Sequence, residues 1–490
     1  MSIDWPIVRL GDFCIKVGSG ATPKGGANVY LDKGEVCLIR SQNIYNDGFK
    51  PNGLVYITEE AAAKLKNVII EKNDILINIT GDSVARVCLA KEEYLPARVN
   101  QHVAIIRPDP KHFDARFLRY LLTSTAMQAL LLTISAVGAT RNALTKNMIE
   151  TLEVSKPPIR IQTAIADNLE VLDNKIELNR QTNQTLEQIA QAMFKSWFVD
   201  FDPVRAKIAA NAVGENSQRA AMAAISGLSI TPVQAQGLAA GAIADLDQLQ
   251  QQHPEQYQQL QATAALFPDN LIDSELGEIP EGWGITEIKE LSSKLSKGTT
   301  AAKKDLLKAG DEKIINFLKV RDISDDGEIS RVKLDKIPKS VHVGVLKRSI
   351  LEANDLLFSI AGTIGRVALV EEDLTNSNCN QAIAFIRLKE PEIHLELCYL
   401  NLVGKRVQDE VISKIVQGVQ ANFSLTGLGE IKLLIPSLKF LEYFNKVISD
   451  IHYKKKLLFR ENRELTDIRD TLLPRLLSGE LSIDTSETEF

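Results

Sequence analysis

The feature that most limits how this 490-residue chain can fold is an internal duplication. "WPIVRLGD" at Trp5 returns as "WGITEIKE" at Trp283, and "NDILINITGDSVARV" at Asn73 returns as "NDLLFSIAGTIGRV" at Asn354. "NQHVAIIR" at Asn100 matches "NQAIAFIR" at Asn380, and "GATRNALT" at Gly138 faces "GVQANFSLT" at Gly418. The offset stays between 278 and 281 residues, which is the length of a domain and its connection, not of a solenoid repeat. Two copies of one domain are therefore expected.

Each copy opens with short Ile- and Val-rich runs punctuated by Gly, Asn and Pro, the pattern of strands. They are Val36–Arg40, Asp74–Thr80, Val84–Ala90 and Val103–Arg107, then Asn316–Val320, Leu356–Ile360 and Ile383–Arg387. A helix is expected at Ala115–Leu132 and at His394–Ile415, so each domain reads as α+β. Each copy closes with a longer periodic stretch. After Pro157-Pro158, positions Ile165, Leu169, Leu172, Ile176, Asn179, Asn183, Leu186, Ala190, Met193 and Trp197 step by four and three. After Pro436 the same rhythm runs through Phe444, Ile448, Ile451, Lys455, Leu458, Asn462, Leu465, Arg469 and Leu472. These are heptads, with Asn183 and Asn462 as the polar seam residues that set coiled-coil register. One such helix per copy predicts an antiparallel coiled coil separating two duplicated domains with pseudo-twofold symmetry, a rod of roughly 48 Å for about 32 residues. Between the copies, an Ala- and Gln-rich segment reads as loose helices or a linker. The expected limits are 1–156 for the first domain, 157–205 for the first helix and 206–276 for the linker. The second domain takes 277–436, the second helix 437–482 and a tail 483–490.

The net charge of −6 hides its distribution. Residues 1–155 hold 18 Lys/Arg and 16 Asp/Glu, a balance of +2, and residues 283–436 hold 22 and 21, a balance of +1. Residues 200–282 hold 3 and 11, a balance of −8. The acidity belongs to the middle segment, and the two copies are free to present basic faces to a nucleic acid. No apolar run approaches the ~18 residues of a membrane span, no secretory leader is legible at the N-terminus, and five scattered cysteines without a CxxC fit reduced thiols in a cytoplasmic setting. The stretch "VGSGATPKGGAN" is not a Walker loop: Gly20 is followed by four residues and then Gly25-Gly26, with Lys24 on the wrong side and no hydroxyl after a Lys. The six histidines are not at metal-ligand spacing, and no GxSxG or GxGxxG occurs, so no catalytic or metal-binding residue is expected. Pro268-Asp269 with Glu287-Ile288-Lys289 has the loose form of a magnesium-dependent nuclease motif, but "EIK" recurs at Glu430 without a partner. A nuclease acting alone and a coiled-coil scaffold that binds only protein are the competing readings.

The ordered set of these segments resembles the specificity (S) subunit of type I restriction-modification enzymes over nearly the whole chain. "GSGATPKGG" is similar to that family's loop at the start of a target-recognition domain, and "SKPPIRIQTAIADNLEVLDNKIELNRQTNQTLEQIAQAMFKSWFVDFDPVRAK" to its central conserved region. "FPDNLIDSELGEIPEGW" and "LLPRLLSGEL" resemble its lead-in to the second recognition domain and its C-terminal end. The second loop, "SKGTTAAKKD", departs by lacking the Pro. The resemblance implies two target-recognition domains, each reading half of a bipartite, asymmetric DNA site, with the helices setting the spacer. It implies a non-catalytic subunit of a type I restriction endonuclease and adenine-N6 DNA methyltransferase. The partners are then double-stranded DNA, two methyltransferase (M) subunits and restriction/translocase (R) subunits. S-adenosylmethionine, ATP and Mg2+ belong to those partners, and this chain binds no cofactor.

On that reading, the candidate DNA-binding residues are donors in loops. Ser19, Thr22 and Lys24 in the first loop, with Lys297, Thr299 and Thr300 in the second, suit phosphates, with Gly allowing close approach of the backbone. Arg40, Gln42 and Asn43, with Lys319, Arg321 and Asp322, follow strand ends and suit base edges. Thr140, Arg141 and Asn142, with Gln420 and Asn422, lie in Gly-led loops. Arg86 and Arg366 match each other, as do Asn100-Gln101 and Asn380-Gln381, which suits phosphate binding or a structural role better than base choice.

Overall fold

A computed structural model describes residues 5–136, 142–226, 240–308, 312–332, 334–415 and 422–481. The chain divides into two compact units, residues 1–179 with 460–490, and residues 180–459.

In unit one, a four-stranded antiparallel sheet has the spatial order Cys14–Ser19, Val103–Pro108, Ile75–Asn78, Val87–Leu89. In unit two the order is Ser292–Lys297, Ile383–Leu388, Leu356–Ser359, Val367–Leu369. The duplication is thus one of topology as well as of sequence. Each unit adds a three-stranded sheet with one parallel pair. It is Val55–Ile57, Val36–Ile39, Ala97–Val99 in the first and Asp335–Pro338, Lys313–Leu318, Asn378–Cys379 in the second. The central strands are buried on both faces. Ile75 and Ile77 join one core while Leu76 joins another, and Leu356 and Phe358 are likewise separated from Leu357. This explains the continuous apolar runs in place of alternation. Each such side chain contributes about 1.5–3 kcal/mol.

The repeated Asn-Asp pair has a local cause. Asn73 and Asn354 both take φ +67°, a left-handed value that Asn tolerates. The following Asp is fully buried in both copies. Asp74 accepts from Arg107 at 2.7 and 2.8 Å and from the Glu71 amide at 2.7 Å. Asp355 accepts from Arg387 at 2.8 Å twice and from the Glu352 amide at 2.8 Å. An ion pair between a buried Asp and a half-buried Arg therefore braces each sheet.

Two expected elements differ. The single helix at Ala115–Leu132 is a pair, Ala115–Thr123 and Thr125–Ser135, and its counterpart is Pro391–Val403 and Lys405–Ser413. The breaks fall at matching positions. Ser124 is extended and its hydroxyl caps the next helix, while Gly404 is extended at a point where a Cβ would lie 2.9 Å from the Leu400 carbonyl oxygen, which favours glycine there. Val84–Ala90 shortens to Val87–Leu89 because Ala85 takes φ +68°.

Long helices span Ile159–Phe198 and Leu438–Leu477. Within unit one their segments run in opposite directions: Arg469 donates to Asp173 at 2.9 Å and Asn179 to Asn462 at 2.9 Å. Ile165, Ala166 and Leu169 share the first domain's core with Leu473, Leu476 and Leu477. Within unit two, Glu187 pairs with Lys455, and Phe194, Trp197 and Phe198 pack on Phe440 and Phe444 with ring centroids 4.8–6.4 Å apart. Asn462 accepts a hydrogen bond from Asn179 at 2.9 Å, and the buried Asn183 amide makes no hydrogen bond. The segment expected as loose helices or a linker carries helices Asp202–Ala212, Ser217–Ile225, Ala240–Gln252 and Pro254–Ala264. Ala221, Met222, Ala223, Leu246 and Ala264 bury one another there, and Lys207 donates to the Phe267 carbonyl at 2.6 Å. Its alanines pack without producing a large-residue stripe, so periodicity did not reveal this core.

Candidate nucleic-acid interface

One turn gathers the loops of each unit. In unit one it is Val99–His102. The amides of Gly20 and Ala21 donate to Val103 and Val99 (2.7 and 3.1 Å), and the Asn100 amide donates to Ile39 (3.1 Å). The Ile79 amide donates to His102 (2.9 Å), and the Leu144 amide to Ile79 (2.9 Å). Asn78 reaches the Ser41 carbonyl at 2.9 Å, and the Thr80 hydroxyl lies 2.7 Å from His102 Nδ1. The first loop, the strand end at Arg40, the turn after Asn78 and the segment from Asn142 therefore meet at one end of the sheet. Unit two repeats this. Gly298 and Thr299 bond Ile383 and Cys379 (2.9 and 3.0 Å), Asn380 bonds Leu318 (3.0 Å), and Ile360 bonds Ala382 (2.8 Å). The Phe423 amide donates to Ile360 (2.9 Å), and Ala361 bridges Asn422.

The glycine of the opening loop answers to this packing. A Cβ on Gly20 would stand 2.1 Å from the Asn100 carbonyl oxygen and 2.4 Å from that of Val99. On Gly298 it would stand 2.2 Å from those of Asn380 and Cys379. The close approach that the sequence suggested toward a phosphate is made to the chain's own backbone.

The candidates separate accordingly. Ser19, Lys24, Gln42, Gln101, Asn142, Lys297, Thr299, Thr300, Arg321, Gln381 and Asn422 are exposed, while Thr22, Arg40 and Lys319 are half-buried. Thr140, Arg141 and Gln420 lie outside the described residues. Asn43 is corrected: it is fully buried, accepts from the Arg40 amide (3.1 Å) and donates to Lys50 and Asn52 carbonyls (2.9 and 3.2 Å), so it holds its loop and presents nothing to a groove. Asp322 closes the matching turn in unit two, accepting from the Lys319 amide at 2.8 Å. Asn100 and Asn380 accept from amides two residues on, at 3.1 and 3.3 Å, a turn-forming role. Arg366 donates to Asp325 (2.8 Å) and to the Ile323 carbonyl (2.7 Å), whereas Arg86 lies 4.6 Å from the Tyr45 ring.

The strand-end donors differ between units. Arg40 and Gln42 both donate to the Gly53 carbonyl, at 2.5 and 3.1 Å, and Arg40 lies 5.5 Å from the Tyr30 ring centroid. Lys319 and Arg321 instead meet the Asp335 carboxylate, at 2.5 and 2.7 Å. Hydrogen bonds from Lys319, with the positive charge of Lys319 and Arg321, hold Asp335 below the usual carboxylate range. Sequence reading missed Gly53, Tyr30 and Asp335. Asp335 opens a strand paired with Lys313–Leu318, Gly53 lies in the turn before Val55–Ile57, and Tyr30 precedes Leu31, which bridges Tyr56, so none is recognisable until the pairing is known.

Asp269 pairs with Lys207 at 3.0 Å and Lys289 with Glu287, which accounts for the nuclease-like residues. Among the described residues no group of His, Cys, Asp and Glu is placed to hold a metal. All five cysteines are free, and burial pushes the Cys88, Cys379 and Cys398 thiols up to about 12, far from a nucleophilic thiolate.

A family profile described as "Type I restriction modification DNA specificity domain" matches residues 2–188 and 280–456, once per copy. The HindI specificity subunit of a type I restriction enzyme from Haemophilus influenzae is 29% identical over 489 residues, covering 98% of this chain and all of that one. The MjaIX specificity subunit of Methanocaldococcus jannaschii is 29% identical over 204 residues, covering 41% of this chain and 45% of that one. The crystal structure of a type I S subunit from M. genitalium aligns over 99% of this chain and 97% of that one, at 15% identity and a TM-score of 0.47. With both copies matched, this chain belongs to the type I restriction-modification DNA specificity family.

Proposed function

We propose that this chain is the non-catalytic specificity subunit of a type I restriction-modification complex, and that each copy reads one half of a bipartite, asymmetric DNA site. One observation carries this reading: the same loop cluster is built twice on the same frame, with unlike donors at its reader positions. Arg40 and Gln42 stand where Lys319 and Arg321 stand in the other unit. An identical frame with different edges is what two different half-sites require. The long helices form an antiparallel coiled coil that sets the spacer and, through its pseudo-twofold repeat, docks two M subunits. R subunits join that assembly, in the cytoplasm. S-adenosylmethionine, ATP and Mg2+ serve the partners. The target-recognition domains are 1–156 and 277–436, and the helices lie within 157–205 and 437–482.

The test is a genome-wide methylation map of cells producing this chain with its M partner. A new bipartite motif with a fixed gap is expected, and exchanging residues 1–156 for those of another family member should change one half only. An assembled, cofactor-loaded complex that leaves no new motif overturns the reading.

A further inference from the structure

The reader positions of the two units share one geometric device. Two donors from the end of a strand converge on a single acceptor next to the neighbouring strand. In unit one that acceptor is the neutral Gly53 carbonyl. In unit two it is the carboxylate of Asp335, the first residue of the strand Asp335–Pro338, whose Cα partner is Phe317 on the reader strand. The Lys319, Arg321 and Asp335 side chains keep 37, 60 and 38% of their surface exposed, so the cluster is open to a ligand. Both cations are already satisfied there, and any phosphate that drew one away would have to break an ion pair and stand beside a carboxylate.

We propose that Asp335 is a specificity-determining positioning residue of the second half-site. It holds Lys319 and Arg321 toward base edges and makes indiscriminate phosphate binding unfavourable. Discrimination of this kind works by weakening the wrong complex, as repulsive elements do at selective interfaces. Without the Asp335 carboxylate, Lys319 loses its ion pair and Arg321 keeps the longer contact to Asp322 at 3.5 Å, so both are freer to follow any phosphate, and each phosphate neutralised steepens the salt dependence by about 0.9 in log–log slope. The inference rests on the DNA-reading function proposed above.

The test uses the full chain assembled with its M partner. Binding is measured against salt on duplexes carrying the mapped motif, the motif with a scrambled second half, and the motif with a scrambled first half. Wild type that fails to discriminate at either half overturns the DNA-reading function itself. Given discriminating wild type, Asp335→Asn is expected to lower second-half discrimination about tenfold, tighten binding to the scrambled duplex and steepen the slope by about 1. First-half discrimination should not change, and Asp335→Glu should behave as wild type. Asp335→Ser removes the charge with less bulk and carries the test if Asn disturbs the strand. Unchanged discrimination and slope in a folded charge-free variant overturn the inference. So does an equal loss of affinity for all three duplexes, which would mark Asp335 as structural only.

Discussion

Gly20 and Gly298 bear the tightest constraint at the scale of single residues. Their missing side chains leave room for the carbonyls of the Asn-Gln turn, and nothing flexible stands in the way of an added Cβ. Gly20→Ala therefore forces backbone, not a side-chain tip, to move. The expected cost is at least about 2–3 kcal/mol, at the upper end of overpacking penalties. Denaturant unfolding of unit one measures it, and an unchanged midpoint would show that the turn yields freely. The duplicated glycine was legible in the sequence, but its purpose was not, because a loop glycine near polar residues looks the same whether it faces a phosphate or a carbonyl. Asn43 makes the same point: its amide type suits adenine, yet its burial commits it to Lys50 and Asn52. Residue type gives chemical capacity, and only pairing across the fold decides which capacity is used.

Elements obey clearer rules, and more of them were visible in advance. Paired apolar runs gave the central strands, and the four-three rhythm gave both long helices, because each pattern follows from the period of the backbone itself. The helix breaks at Ser124 and Gly404 were not read in advance, since apolar residues continue on either side of each break, and Leu118 with Leu131, and Leu402 with Val407, join the same cores. The polar contact between domain and long helix in unit one was also hidden. Asp173 accepts from Tyr120 (2.7 Å), Arg119 (2.9 Å) and Arg469 (2.9 Å), bringing together residues distant in sequence. Burial raises the Asp173 carboxyl, but Arg119, Arg469 and Tyr120 outweigh it and leave the group below the usual range. A depressed folded value means stability that is present above the unfolded pKa of about 3.9 and lost as pH falls through the folded value. Wild type should therefore unfold at a higher temperature than Asp173→Asn at pH 7, and the gap should close as pH falls below about 4. A gap independent of pH would assign the Asp173 contribution to shape and not to charge.

For the whole molecule, the proposed function makes helix length a quantity that DNA can report. Each long helix is continuous over 40 residues, and the segments within each unit run antiparallel. Removing one heptad from each helix at paired positions restores the seam to the same face, because seven residues complete the coiled-coil repeat. The deletion shortens a helix by about 10 Å at ~1.5 Å per residue. At ~3.4 Å per base pair the gap between half-sites can shrink by up to about 3 base pairs, and that limit is reached only if the helices lie along the DNA axis. Both half-site sequences should survive, since neither loop cluster is touched. The methylation map of the shortened chain with its M partner is therefore expected to show the original two half-sites at a smaller fixed gap. An unchanged gap would mean that another part of the complex sets the spacing. Altered half-sites would mean that the helices contribute to base reading. On the proposed function the two long helices connect the scales: the heptad step sets the seam, the seam sets helix pairing, and helix length is then read out in base pairs.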